Sequence, residues 1–471
     1  MLHIIDGLGG GGAERLLWDI VRLSDQRQVR HAVVTVFPDD GSFVYAERLR
    51  SVGAYHQPAA GADAGNASAD SGLAHIIGSR LPSSLKRPLK PLRDAAVSLR
   101  NRINPASSLS PSKPELSIEA TNDSASLREA SNGSSPSSRE QSSFEDDVTL
   151  QELIMEGVYA DAVARIGQEY VRFRPDVIHG HTFHGFTLGL FAKLVFKRPV
   201  VYFIPALFSQ LEDVEMGWLP RQYERFHPWV DRFFTAHRSE LLGKGVPASK
   251  ISPIDGLVDL EAVERVKGER ERHRTEIRRA LSIAKDSLIA LSVGRLHSSK
   301  GHEYAVEALP SLTKAFPNLH WIAIGAGTLS ERRALEERAR ALSVSEHAHL
   351  PGFIDEPLPF YAAADIYLRT PVYESDNLSS YQAMAMGLPI VGFETGREAE
   401  LTGKVGNGML VPLRDAVALS CAAEQILRLP DRGRALGELG AAYCHAHLDS
   451  RRFVSMLVDA YKALHQSPCE Q

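Results

Sequence analysis

Twice along this chain, short apolar runs stop at glycine-containing loops that open into segments of helical spacing. Leu2-His3-Ile4-Ile5 is followed by glycines at 7 and 9–12. Leu16, Leu17, Ile20 and Val21 then recur at helical intervals, and the apolar run 31–37 follows. Strand, helix, strand in this order implies a parallel pair with a right-handed crossover. The alternation resumes with a helical pattern over 153–173, a strand at 175–179, a helix at 186–196 and a strand at 199–204. Past Gly256 it repeats. Strand-like runs lie at 288–293, 319–324, 348–350, 366–368, 389–392 and 408–411. Helical patterns lie between them at 304–315, 330–342, 358–363 and 380–386. The expected fold is α/β, with two Rossmann-like doubly wound parallel sheets over residues 1–255 and 256–450. Ligands of such sheets bind outside the carboxyl ends of the strands, so the expected site is the cleft between the two domains.

A chain of 471 residues is too long for one core, in keeping with two domains. Residues 59–147 interrupt the first. They are rich in Ala, Gly, Ser and Pro and too poor in large apolar side chains to offset the entropy of ordering, so a largely disordered insertion is expected. Within it, Arg80, Lys86, Arg87, Lys90, Arg93, Arg100 and Arg102 form a basic segment, with Leu92, Ala96, Leu99 and Ile103 on one helical face. It reads either as a membrane-surface contact or as a charged linker. The net charge of -5 argues against a globally basic nucleic-acid binder. Three scattered cysteines, Cys421, Cys444 and Cys469, form neither a zinc spacing nor a disulfide framework. No apolar run reaches the length of a membrane span, and the start reads as a strand and not as a signal peptide, so a cytoplasmic protein is expected.

Five motifs carry chemistry. Gly7 to Gly12 contains Gly-x-Gly-x-x-Gly, a loop that lets backbone approach a phosphate or a sugar. His179-Gly180-His181-Thr182-Phe183-His184 sets three imidazoles at a strand end, open to a metal reading but with no carboxylate or cysteine to complete a site. Gly294-Arg295 and Lys300-Gly301 put a guanidinium fork and an ammonium across one short loop, suited to a diphosphate. Gly325-Ala326-Gly327 and Pro351-Gly352-Phe353 follow two further strands. Last, Glu374 and Gln382 stand eight positions apart across Asp376-Asn377-Leu378-Ser379, ahead of Ala383-Met384-Ala385-Met386-Gly387-Leu388-Pro389. Ser379-x-x-Gln382 also fits a capping box.

In this order the motifs resemble the retaining glycosyltransferases of family 4, which have the GT-B fold. The resemblance spans both domains outside residues 59–147. It implies that Gly11 and Gly12 line the cleft near the donor diphosphate, and that His181, with His184 next, approaches the sugar. It implies that Arg295 and Lys300 stabilise the leaving diphosphate, that Gly294, Gly325 and Gly327 lie under the nucleotide, and that the backbone at Phe353 meets the base. Glu374 would contact sugar hydroxyls, and the Asn377-Leu378-Ser379 backbone the phosphates. Gln382 stands where the family has a second Glu on the ribose. A helix over 453–464, in a terminal segment 451–471, would cross back onto the first domain.

The implied reaction moves a sugar from a UDP- or GDP-linked donor to an acceptor hydroxyl with retention, in polysaccharide or glycolipid synthesis. The acceptor would be a sugar or a lipid-linked molecule, and contact with the inner face of the plasma membrane would run through the 80–102 segment. No Asp-x-Asp stands at a strand end, so no metal and no cofactor are expected. Two alternatives remain. Gln382 suggests a catalytically weak sugar-nucleotide-binding protein. The glycine fingerprint suggests a nicotinamide-dependent oxidoreductase, which would need an acid about 20 residues on, whereas Asp39 and Asp40 come later.

Overall fold

The computed structural model describes residues 1–5, 8, 12–36, 45–55, 160–204, 227–235, 238–254, 258–372 and 378–466. Gly11, the insertion 59–147 with its basic segment, Glu374 and Asn377 lie outside the described residues. The chain divides into two compact units, Met1–Ala64 with Arg165–Gln471, and Gly65–Ala164. Both sheets belong to the first unit, and of the second only residues 160–164 are described.

The first sheet holds β1 (Leu2–Ile5), β2 (Ala32–Thr35), β3 (Ile178–His181), β4 (Val200–Ile204), β5 (Arg232–Thr235) and β6 (Ile251–Pro253), in the order β2-β1-β3-β4-β5-β6. The second holds β7 (Leu288–Val293), β8 (Leu319–Ile324), β9 (Ala348–Gly352), β10 (Ile366–Arg369), β11 (Ile390–Phe393) and β12 (Gly408–Val411), in the order β12-β11-β10-β7-β8-β9. Every pairing is parallel. Parallel sheets are covered on both faces, which is why β4 reads Val-Val-Tyr-Phe-Ile without alternation and is buried throughout.

One boundary differs from the sequence expectation in a way that matters for the site. β3 runs on to His181, and the next helix, Thr182–Phe196, starts at once and not at 186. Two glycines permit this. A Cβ on Gly180 would lie 2.5 Å from the Gly185 carbonyl oxygen, and one on Gly185 would lie 2.5 Å from that of Ile4. The helix can therefore begin flush against β1 and β3, while its glycines weaken the helical signal in the sequence. Among the described residues, seven helices are not apparent from apolar spacing: Leu260–Gly268, Arg270–Ala280, Gly396–Val405, Ala416–Leu427, Arg434–His447 and the short Ala46–Ser51 and Arg238–Gly243. Asp259 caps the first of these, its side chain accepting from the Ala262 amide.

The last described helix, Ser450–Gln466, packs on the first sheet. Its Phe453, Val454, Leu457, Val458 and Tyr461 share a core with Leu16, Ile20, Val201, Phe203 and Phe234. The chain thus leaves the second sheet and closes on the first. An Arg22–Asp259 ion pair of 2.7 Å joins the helix Gly12–Leu23 to the start of the helix Leu260–Gly268. Among the described residues no helix is long and apolar enough to cross a membrane. Leu457 has no exposed surface, so Leu457→Ala should cost about 2–5 kcal/mol of stability by transfer and cavity terms. Urea unfolding checks this, and an unchanged midpoint would mean that the helix is not docked as described.

Candidate functional site

In each sheet the strand order reverses once, between β1 and β3 in the first and between β7 and β10 in the second. The loops leaving the carboxyl ends at such a reversal diverge to opposite faces and leave a crevice for a ligand. Most of the motif residues sit on these loops. The glycines around Gly12 follow β1, His181 is the last residue of β3, and His184 lies in the helix that starts next to it. Arg295 and Lys300 follow β7, and residues 373–377 lie between β10 and the helix Leu378–Ala385.

The loop after β7 is the best-defined part. Its backbone is tied to the loop after β8 through Gly294 N to Ile324 O at 2.9 Å and Leu296 N to Ala326 O at 2.8 Å. Glycine is required here for space. A Cβ on Gly325 would lie 1.8 Å from the Gly294 carbonyl oxygen, and one on Gly327 would lie 2.7 Å from the Leu296 Cβ. From the far side His302 Nε2 donates to the carbonyls of Gly294 and Arg295 at 3.2 and 3.1 Å. Carbonyls only accept, so Nε2 carries the proton of the neutral ring. Burial pushes the His302 pKa down to about 4, so it holds the loop without bringing a charge to it. Nothing in the sequence marks His302 as functional; only the fold brings it under this loop.

The same loop is braced by the end of β10. Thr370 Oγ1 donates to the Lys300 carbonyl at 3.0 Å, and the Val372 amide to the Ser299 carbonyl at 3.0 Å. Gly301 sits between them at φ 62°, where a Cβ would meet the Thr370 carbonyl oxygen at 2.0 Å. Lys300 is thus half-buried and Arg295 exposed on a loop whose backbone is fixed, and Arg295 forms no ion pair within 4 Å among the described residues. After β8, Thr328 and Glu331 form a capping box at the start of the helix Leu329–Ala341. After β9, Gly352 O accepts from Gly325 N at 3.0 Å, and Phe353 is 38% exposed.

The capping box expected at Ser379 and Gln382 does not form. The helix starts at Leu378, so Ser379 lies inside it and not at its cap. Its hydroxyl donates to the Val293 carbonyl at 2.9 Å and accepts from Tyr367 Oη at 2.9 Å. This anchors the helix start to the end of β7. The Gln382 amide, half-buried, makes no side-chain hydrogen bond among the described residues.

In the first domain the histidines form a buried chain. His3 Nδ1 is 2.9 Å from His181 Nε2, and His3 Nε2 is 2.9 Å from His31 Nδ1. His179 stacks on His181 with centroids 4.0 Å apart, and its Nδ1 lies 2.6 Å from Tyr461 Oη. His3 and His179 are cross-strand partners on β1 and β3, and His181 lies two residues on along the same face. Neutral rings must donate in one direction along His31–His3–His181, so the tautomers are correlated. His181, expected at the sugar, has no exposed surface and is held by His3; His184 in the following helix is half-buried. One nitrogen each from His3, His179 and His181 falls within 4.8 Å of the others, a spacing that a metal could bridge. The group contains no carboxylate, and both His3 nitrogens already bond to neighbouring rings.

Across the two domains, Arg48 pairs with Asp355 and, at 3.3 Å, with Glu356 in the loop after β9. Arg15 approaches Glu356 at 3.9 Å. The helices that carry Arg15 and Arg48 follow β1 and β2, so these pairs join the carboxyl-end sides of the two sheets.

Residues 273–442 match the family model described as Glycosyl transferases group 1. The D-inositol 3-phosphate glycosyltransferase of Corynebacterium urealyticum is 28% identical over 42% of this chain and 49% of its own length, so the chain spans about half of that relative. The lipopolysaccharide core biosynthesis glycosyltransferase LpsE of Rhizobium meliloti is 24% identical over 47% of this chain and 69% of that one. The structure of Anabaena Alr3699/HepE in complex with UDP superposes with a TM-score of 0.64 at 15% identity, covering 98% of this chain and 99% of that one. WaaG, a glycosyltransferase involved in lipopolysaccharide biosynthesis, gives 0.58 at 13%, covering 98% and 99%. The fold is therefore GT-B, as the resemblance implies, with the two Rossmann-like domains expected from the alternation of elements.

The histidine chain makes stability depend on acid. Burial holds His3 and His179 well below the ordinary value of 6.5, and lowers His31 and His181 to about 3. Between 6.5 and about 3 the unfolded chain binds protons that the folded one refuses, so stability falls as pH falls through this window. Each such histidine steepens the slope by about 1.4 kcal/mol per pH unit. His31→Gln should make the slope shallower by about one proton, measured by urea unfolding between about pH 6 and about pH 4. An unaltered slope would show that His31 titrates normally in the folded protein.

Proposed function

We propose that this chain transfers a sugar from a nucleoside diphosphate sugar to an acceptor hydroxyl, with retention at the anomeric carbon, as a family 4 enzyme. The observation that carries the reading is the braced loop after β7. It presents Arg295 and Lys300 at the sheet's reversal point while His302, Thr370 and Gly325 hold its backbone in place. Cations fixed in advance stabilise charge that develops on a leaving diphosphate without reorganising at the moment of reaction. Arg supplies two parallel donors to phosphate oxygens and Lys a point charge.

Glu374 orients the sugar hydroxyls, Gln382 the ribose, and the backbone of Asn377, Leu378 and Ser379 the phosphates. Gly11, Gly12, Gly294, Gly325 and Gly327 allow the donor close to the main chain, and Phe353 flanks the base. His184 takes the sugar contact, and the sealed His181 acts behind it as a positioning residue. The UDP bound by the Anabaena protein supports UDP as the first donor base to try. The role of the Rhizobium relative in lipopolysaccharide core biosynthesis supports a sugar or lipid-linked acceptor in polysaccharide or glycolipid synthesis. A lipid-linked acceptor would bring the basic segment at 80–102 to the inner face of the plasma membrane. Neither a metal nor a cofactor enters the reaction.

Thermal-shift titration with UDP, GDP and ADP and their sugars tests the donor site. A ligand at 100 times its dissociation constant should stabilise the fold by about 2.7 kcal/mol. The shift should vanish in Arg295→Ala and survive chelation with EDTA. A shift that ignores Arg295→Ala removes the diphosphate from this loop, and turnover that EDTA abolishes and Mg²⁺ restores overturns the metal-free mechanism.

The unpartnered Gln382 favours a second reading, a protein that binds sugar nucleotide and turns it over weakly. A carboxylate there would make a charge-assisted bond to the ribose, roughly twice as strong as a neutral one. On this reading Gln382→Glu tightens UDP binding and raises turnover. If it weakens both, the amide is itself adapted to the donor.

A further inference from the structure

At the amino ends of the second sheet's strands, opposite the loops above, lies a cavity of about 1020 Å³. Its floor includes Ser287 ahead of β7, Asp365 ahead of β10 and Pro389 ahead of β11. Six residues of β7 separate it from Gly294, about 20 Å at the rise of a strand. Its lining carries seven Arg and Lys side chains against four carboxylates.

Two of those carboxylates are already engaged. Asp365 accepts from Arg274 at 3.1 Å, Arg278 at 3.5 Å and the Ile289 amide at 2.8 Å. Asp431 accepts from the amides of Gly433 and Ala435 at the start of the helix Arg434–His447. On the cationic side, Arg270, Arg274 and Arg278 recur every fourth residue along the helix Arg270–Ala280. They donate to the carbonyls of Ala362, Ala363 and Ala364, where the helix Leu358–Ala363 ends. Arg278 is only 4% exposed, and its Nε has no hydrogen-bond partner. Arg279, Lys285, Arg432 and Arg434 form no ion pair within 4 Å among the described residues. Burial first, and then the neighbouring Arg274, lower the pKa of both Arg270 and Arg278, as expected of cations crowded without enough counter-charge.

We propose that this cavity is a second anion site, which takes a multiply charged phosphate compound away from the nucleotide-sugar cleft. The volume exceeds what a single phosphate needs and lies in the range of small-molecule pockets. Guanidinium groups converging from a helix, with further cations from two turns, match several phosphate oxygens at once. A soluble oligophosphate and an anionic lipid headgroup share this chemistry.

The test uses the full chain carrying Arg295→Ala and Lys300→Ala, so that the donor loop contributes nothing. Inorganic tripolyphosphate is titrated by calorimetry at low salt, and in parallel the protein is sedimented with phosphatidylglycerol vesicles. One binding event should persist in this background. Adding Arg279→Gln, Lys285→Gln and Arg434→Gln, all exposed side chains, should weaken it by about tenfold or more while the thermal melt is unchanged. Tripolyphosphate binding that the triple change weakens establishes the site for a soluble ligand. Vesicle binding alone, weakened in the same way, establishes it for a headgroup. Binding to neither probe, or binding that the triple change leaves intact, overturns the proposal. Because the donor loop is disabled throughout, failure here leaves the proposed sugar transfer untouched, and failure of that transfer leaves this site standing.

Discussion

A parallel sheet must be covered on both faces, and this requirement organises the described residues. With helices on both faces, ligands can reach the sheets only at the strand ends. In the second sheet the carboxyl ends carry the loop with Arg295 and Lys300, and the amino ends carry the arginine-lined cavity. Because each sheet reverses its strand order once, the carboxyl-end crevice has a defined place, beside β1 and β3 in one sheet and beside β7 and β10 in the other.

Within that frame the loops are rigid because they touch through backbone. Gly325 lies against the Gly294 carbonyl and Gly301 against the Thr370 carbonyl, contacts closer than any side chain allows. Ser379 and Tyr367 extend the network to the start of the helix Leu378–Ala385. A loop fixed in this way does not need ordering when a ligand arrives, so its cations act at lower entropic cost. His302 adds hydrogen bonds to the same loop while staying neutral, which leaves the positive charge to Arg295 and Lys300.

The two groups of buried polar side chains are handled differently. The histidines of β1 and β3 avoid the cost of buried charge by staying neutral and bonding to one another. The arginines behind the second sheet cannot lose their protons, so they use backbone carbonyls at a helix end, where the partial charge is negative, and share one aspartate. The first solution needs no counter-charge. The second leaves positive charge uncompensated.

Much of this was legible in the residues alone. Apolar runs ending in glycine loops are a local signal, because a buried parallel strand needs continuous apolar residues and a close turn needs glycine. Four strands of the first sheet, all six of the second and the loop positions of Arg295 and Lys300 followed from it. The start of the helix Thr182–Phe196 did not, because its glycines conceal the helix and are explained only by contact with β1 and β3. The Ser379–Gln382 pattern fits a cap locally, yet Val293 and Tyr367, distant in sequence, take up the serine. The charged helix Arg270–Ala280 has little apolar periodicity, since carbonyls across the domain hold it. By itself, then, the sequence determined most of the strands, the helices with an apolar stripe and the residue types at their loops, which depend on neighbours along the chain. Tertiary structure alone decided which histidine is sealed, which hydroxyl is taken and where the arginines converge, because those outcomes depend on groups that only folding brings together.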